Sequence, residues 1–163
     1  EYNFSNLASS ITIGKFLDLS NKEIQEGLNK FLNDSNRSEI LIFDSNKIYL
    51  DAYNANPTSM LAAISNFENI NINNRVLILG DMFELGEYSD QEHQKIVDFV
   101  TNKDYSKVYL VGDNFSKCNT DGEYFFKFSN TNELAQSDSF KSLKSMNILV
   151  KGSRGVSLEK LFK

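Results

Sequence analysis

Between Tyr49 and Ser59 the chain reads YLDAYNANPTS. A hydrophobic run ends on Asp51, and Tyr53, Asn54 and Asn56 follow before Pro57, the only proline, opens the next segment. A carboxylate at the exit of a strand can accept two hydroxyl donors at once, as it does with a ribose diol. Asn54 and Asn56 add amide donors and acceptors in a density that a turn alone does not require. Proline fixes φ at the start of a helix and would hold these groups still. Residue types and spacing together point to a ligand-binding loop.

Three further polar groups stand at the ends of apolar runs: Gly80-Asp81-Met82 with Glu84 after RVLILGD, Gly112-Asp113 in KVYLVGD, and Lys151-Gly152-Ser153-Arg154 in NILVKGS. Each has a plain structural explanation beside the functional one. Taken singly, Asp81, Asp113 and Asn114 read as turn formers and helix caps. His93, the only histidine, stands among charged neighbours in a helical segment and reads as a solvated or capping side chain. Phe125, Phe126 and Phe128 read as core. KGSRG has the composition of a phosphate nest without the spacing of a P-loop, and a glycine-serine turn explains it as well.

The elements that must position these groups fall into two parts. In the first, Phe4, Leu7, Ala8, Ile11, Phe16 and Leu17 fall on spacings close to one helical face. Ser20 with Glu23 makes a capping box for a second helix carrying Ile24, Leu28, Phe31 and Leu32. The polar run NDSNRS, residues 33–38, breaks the pattern and marks a boundary. Beyond it, ILIF and KIYLDA flank Asp44-Ser45-Asn46 as a hairpin. RVLILGD, KVYLVGD and NILVKGS read as buried parallel strands, because a strand covered on both faces is continuously apolar. PTSMLAAISNFENI begins a helix on proline, and Ser89 with Glu92 suggests a capping box for SDQEHQKIVDFVTNK. YFFKFS supplies one more strand, with helical segments through Leu134 and Phe140 to Leu143. Strands alternating with helices imply an open α/β sheet. Ligands bind such sheets beyond the carboxyl ends of the strands, so the four polar groups are expected along one rim.

The totals set outer limits. A chain of 163 residues supplies one core, or one domain and a fragment of another. Forty per cent hydrophobic and 24% charged residues describe an ordinary folded protein. A net charge of −5 argues against nucleic acid as a partner. No apolar run approaches the roughly 20 residues of a membrane span, and no secretory signal order opens the chain. Cys118 alone permits neither an internal disulfide nor a thiolate metal cluster, which fits a reducing cytoplasm.

In order along the chain, LDAYNANPTSM, LILGDMFELGEYSDQEH and LVKGSRG closely resemble the C-terminal region of the Mur ligases of peptidoglycan synthesis, in the branch that adds D-alanyl-D-alanine. EYNFSNLASSITIG is similar to the last helix of that family's central ATP-binding domain, and NRSE to its link into the C-terminal domain. The resemblance covers essentially the whole chain. It implies that residues 1–36 end the central domain and that residues 37–163 form a Rossmann-like C-terminal domain, an open, mostly parallel sheet with helices on both faces. It also implies an ATP-dependent, ADP-forming ligase. The terminal carboxylate of UDP-N-acetylmuramoyl-tripeptide becomes an acyl phosphate, and the amine of D-alanyl-D-alanine attacks it. This chain has no G-K-T/S P-loop and no candidate for the family's carbamylated lysine or magnesium ligands. ATP activation and Mg2+ are therefore expected to belong to the enzyme's own N-terminal and central domains. The fragment, with no catalytic residue of its own, is expected to orient substrate without turning over.

Residue by residue, the resemblance places Asn3 and Asn6 near adenine and Arg37 on the ATP phosphates, where a guanidinium fork suits anionic oxygens. It gives Asp51 the ribose hydroxyls, with Tyr53 and Asn54 packed beside the nucleotide. Asn56, Ser59, Asp81, Met82, Glu84, Lys151, Ser153 and Arg154 would line the dipeptide side, acids drawing its ammonium and bases its carboxylate. Many relatives carry two consecutive acids where this chain has Leu50-Asp51. Strand residues alternate faces, so Leu50 can be core while Asp51 keeps its role. Other readings are a sister ligase of the amino-acid-adding or folylpolyglutamate type, a noncatalytic nucleotide-binding domain, and a receiver-like phosphoacceptor module. The receiver needs an acidic pair after its first strand, and Phe43-Asp44-Ser45 supplies one acid.

Overall fold

The structure, a computed structural model, describes residues 4–30 and 39–163. The expected boundary at 33–38, and with it Asn3 and Arg37, lies outside the described residues. The chain divides into two units, 1–34 and 35–163.

In the first unit, α1 (Phe4–Phe16) and α2 (Asn21–Lys30) follow the helical spacing read from the sequence, while Phe31 and Leu32 of that reading lie outside the described residues. The capping box forms as expected: the Ser20 N–H donates to Glu23 Oε2 at 2.9 Å, and the Glu23 N–H donates to Ser20 Oγ at 3.3 Å. The two helices meet where Gly14 faces Ile24, whose Cγ1 would lie 2.8 Å from a Cβ at Gly14. Phe4, Leu7, Ile11, Phe16 and Leu17 are exposed, so the apolar spacing of α1 is real while its face is not buried within this unit.

The second unit is a six-stranded sheet in the order β1-β2-β6-β3-β4-β5. β1 (Glu39–Phe43) and β2 (Asn46–Asp51) form the expected antiparallel hairpin, closed by Asp44 in the left-handed region at φ 52°. α3 (Pro57–Glu68), β3 (Arg75–Gly80), α4 (Ser89–Val100), β4 (Lys107–Val111), α5 (Asp113–Lys117), β5 (Phe125–Phe128), α6 (Thr131–Gln136), α7 (Asp138–Lys141) and β6 (Asn147–Lys151) complete the order. All pairings beyond the hairpin are parallel.

Alternation along each strand sorts the core into two layers. Leu77, Leu79 and Leu149 face α3 and α4, packing with Met60, Ile64, Phe67, Ile96 and Val97. Val76, Ile78, Ile148 and Val150 face the other side, with Leu134, Leu143, Leu158 and Leu161. Leu50 joins this second layer, as its alternation with Asp51 requires. Asp51 and Lys151 share the parity of Tyr49 and Leu149, and so sit on the α3 side at the carboxyl ends of β2 and β6.

One cap differs from the sequence expectation. A 3-10 turn at Gly86–Tyr88 leads directly into α4, and no side chain caps that helix. Ser89 Oγ lies instead 3.4 Å from His93 Nδ1, and Glu92 pairs with Lys95. Backbone donors that a Ser-Glu box would satisfy are taken up by the continuous turn.

Candidate functional site

The parallel register brings four strand ends to one edge, with Asp51 beside Lys151, Leu79 beside Lys151, and Gly80 beside Val111. β6 lies between β2 and β3, so the loop after Lys151 reaches the loops on both sides. The fit is close: a Cβ on Gly152 would lie 2.9 Å from the Gly80 Cα, which leaves room there for glycine alone.

Lys151 is fully buried, and its ammonium donates to Asp51 Oδ2 at 2.7 Å and to the Asn54 carbonyl at 3.0 Å. A buried ammonium requires such compensation. The Asp51 side chain keeps 13% of its surface exposed, and among the described residues its second oxygen accepts no hydrogen bond. Asn54 is exposed and Tyr53 is half-buried. The Arg154 guanidinium lies over the Tyr53 ring, 5.4 Å from its centroid, within cation–π range.

Asn56 and Ser59 are engaged with each other. Asn56 Oδ1 accepts the Ser59 N–H at 2.8 Å, and Ser59 Oγ accepts the Asn56 N–H at 3.1 Å, a reciprocal cap on α3 with Pro57 in its first turn. The amide density that singled out this loop is thus explained in part by helix capping.

Asp81 turns inward. Only 3% exposed, it accepts the Asn114 N–H at 2.9 Å, Asn114 Nδ2 at 3.1 Å and the Phe115 N–H at 2.9 Å. It caps α5 from the neighbouring strand. Gly112, at φ +125°, makes room for it: a Cβ there would lie 2.3 Å from Asp81 Cγ. The Met82 side chain is buried in the core on the α3 side, so what Met82 brings to the rim is backbone. Glu84 is exposed, in the left-handed region at φ 64°.

His93 is fully buried, which corrects its reading as a solvated side chain. Its Nδ1 lies 2.7 Å from the Ser89 carbonyl, and its Nε2 accepts the Met82 N–H at 3.0 Å. These partners assign the proton to Nδ1. With Nε2 acting as an acceptor, the 3.7 Å approach to Asp81 is a packing distance and not an ion pair. His93, Ile96, Val97 and Val100 are the buried residues of α4, a helical i, i+3, i+4, i+7 face. That spacing was the signal in the sequence.

Ser153 ties three loops. Its N–H donates to the Asp81 carbonyl at 3.1 Å, its Oγ accepts the Phe83 N–H at 3.1 Å, and the same hydroxyl lies 3.5 Å from the Ala55 carbonyl. Asp44, the acid a receiver would need, closes the hairpin at the amino end of β2, away from Asp51. Asn6 is exposed on α1 of the first unit.

The rim therefore presents Asp51, Tyr53, Asn54, Glu84 and Arg154 outward, while Asp81, Lys151 and Ser153 act behind them. Residues 36–154 match the family described as Mur ligase, glutamate ligase domain. The chain belongs to the Mur ligase family. Curated Mur ligases similar to it include the UDP-N-acetylmuramoyl-tripeptide--D-alanyl-D-alanine ligases of Buchnera aphidicola, 33% identical over 98% of this chain and 35% of the relative, and of Rickettsia prowazekii, 33% identical over 91% and 33%. The chain spans about a third of the length of these relatives. A crystal structure of MurF from Acinetobacter baumannii superposes with a TM-score of 0.80 at 27% identity, covering 98% of this chain and 36% of that one. The α/β fold is that of the Mur ligase C-terminal domain.

Proposed function

We propose that this chain is the C-terminal part of an ATP-dependent, ADP-forming ligase that joins D-alanyl-D-alanine to UDP-N-acetylmuramoyl-tripeptide in the cytoplasm. The observation that carries the reading is the outward set on a Mur ligase rim: a carboxylate held by a buried lysine, an aromatic ring under a guanidinium, and exposed amide and acid groups along one edge. Asp51, with one oxygen held and the other without a partner among the described residues, suits the ribose diol of ATP, with Tyr53 and Asn54 beside it. Glu84 and Arg154 supply an acid and a base of the kind that an ammonium and a carboxylate would meet. Asn3, Asn6 and Arg37 are proposed for adenine and phosphate. Asn56, Ser59 and Asp81 shape the loops, while Met82 offers backbone.

ATP, when bound, supplies the phosphoryl group that activates the tripeptide carboxylate. This chain's part is to orient nucleotide and amine and to exclude water, and the benefit of orientation alone is large. The described residues offer no group of three or more metal-binding side chains, so Mg2+ is assigned to the enzyme's own central domain and no step is routed through it here. No helix among the described residues is long and apolar enough to cross a membrane.

The test uses the full-length protein. ADP release is expected only when UDP-N-acetylmuramoyl-tripeptide and D-alanyl-D-alanine are both present. ADP release with a single amino acid or glutamate in place of the dipeptide would move the assignment to a sister ligase.

A further inference from the structure

Lys151 stands where the sequence suggests a group facing the amine substrate, yet its side chain has no exposed surface. Its two hydrogen bonds run sideways into the β2 exit loop, to Asp51 Oδ2 and to the Asn54 carbonyl. Both partners belong to the stretch proposed for the nucleotide, and neither belongs to the Glu84 or Arg154 side of the rim. We infer that Lys151 is a positioning residue for the nucleotide half of the site: it fixes the Asp51 carboxylate and the Asn54 backbone so that the other Asp51 oxygen meets the ligand's hydroxyls in one orientation.

Two physical consequences follow from the geometry. A carboxylate with one oxygen held 2.7 Å from an ammonium cannot rotate without stranding a buried charge, so the second oxygen is fixed in direction before the ligand arrives. The pair also carries no net charge, so Asp51 does not repel the phosphates of the nucleotide it helps to hold. Ser153, two residues on, reaches Ala55, Asp81 and Phe83, whereas both bonds of Lys151 run to the loop after β2.

The inference rests on the reading of Asp51 as the ribose acid, and the experiment separates the two. In the full-length enzyme, Lys151→Met is expected to raise KM for ATP about tenfold or more while KM for D-alanyl-D-alanine stays within about twofold. Asp51→Asn should show the same split, and the double variant should be no worse than the poorer single one, because both remove one device. If Lys151→Met does not fold, the double variant is compared with Asp51→Asn, and a rise in KM for D-alanyl-D-alanine beyond that of the single variant overturns the role of Lys151. A rise in the dipeptide KM with the ATP KM unchanged would overturn the role of Lys151. An additive double variant would overturn its action through Asp51. If Asp51→Asn alone leaves KM for ATP unchanged, the ribose assignment fails, whatever Lys151→Met does.

Discussion

Replacing Asp81 by alanine tests whether this acid is part of the scaffold or part of the ligand surface. The carboxylate accepts three hydrogen bonds, from the Asn114 N–H, the Asn114 side chain and the Phe115 N–H. Phe115 is fully buried and Asn114 half-buried, so loss of the Phe115 bond leaves a donor stranded, while the two Asn114 donors are partly satisfied by water. A hydrogen bond to a charged group contributes about 1.5–3 kcal/mol, and a stranded buried donor costs about 1–3 kcal/mol. Counting the Phe115 bond in full and each Asn114 bond, which water partly replaces, at about half the low end gives about 3–4.5 kcal/mol for Asp81→Ala. With a urea slope of about 1–3 kcal/mol/M, the midpoint of unfolding should fall by roughly 2 M. Asp81→Asn keeps one acceptor and should lose about half as much. Gly112→Ala places a Cβ against the Asp81 carboxylate in a conformation that costs an alanine further strain. Its loss should shrink when Asp81 is already alanine, because the clash is then gone. Urea unfolding of the 163-residue chain, followed by circular dichroism, measures all of this. A loss below about 1 kcal/mol for Asp81→Ala, or strict additivity with Gly112→Ala, would refute the capping account.

Three further outcomes are expected. Asn56→Ala should cost about 1 kcal/mol through loss of the α3 cap, and Asn56→Ser should recover most of it, read from the same unfolding curves. Tyr105→Phe removes a 2.6 Å hydrogen bond from the buried hydroxyl to Glu68 Oε1 and should cost about 1–2 kcal/mol. Burial pushes the Cys118 thiol up to about 11 from a usual 9.0. The native thiol should therefore react slowly with a thiol reagent at pH 8 and quickly in urea. As pH rises from 9 toward 11 the unfolded chain loses this proton first, so stability should fall over that window, and less steeply in Cys118→Ala.

The strands and their exits were legible because β3, β4 and β6 are short continuous apolar runs, which only burial on both faces explains. Leu50 was placed by alternation alone. The direction of the polar side chains was less accessible. Lys151 ends its strand, and Asp81 and Ser153 follow theirs, as polar residues on a rim should, and nothing local states that they point across to a neighbouring loop. Lys151 and Asp51 are a hundred positions apart in the chain, so their pairing depends on β6 settling beside β2. Asn56 stands out in the sequence for its amide, and the side chain it meets, Ser59, is three residues on. The S/T/N-x-x-S spacing of that cap was present in the sequence. His93 was also within reach, through its helical spacing with Ile96, Val97 and Val100.

The place of β6 explains why the loops after β2 and β3 form one surface. In chain order it is the last strand, yet it lies between β2 and β3. The hairpin β1-β2 meets the rest of the sheet only through it, since β2 pairs with β1 and β6 alone. Lys151 then holds the loop after β2, and Ser153, two residues later, holds the loops after both β2 and β3. A strand that closes a gap by long-range parallel pairing forms late, because the entropy of bringing distant segments together must be met before the pairing stabilises anything. Until β6 is seated, Asp51 has no ammonium to orient it and Phe83 no hydroxyl to fix its N–H. The loops after β2 and β3 therefore acquire their geometry together, from one strand.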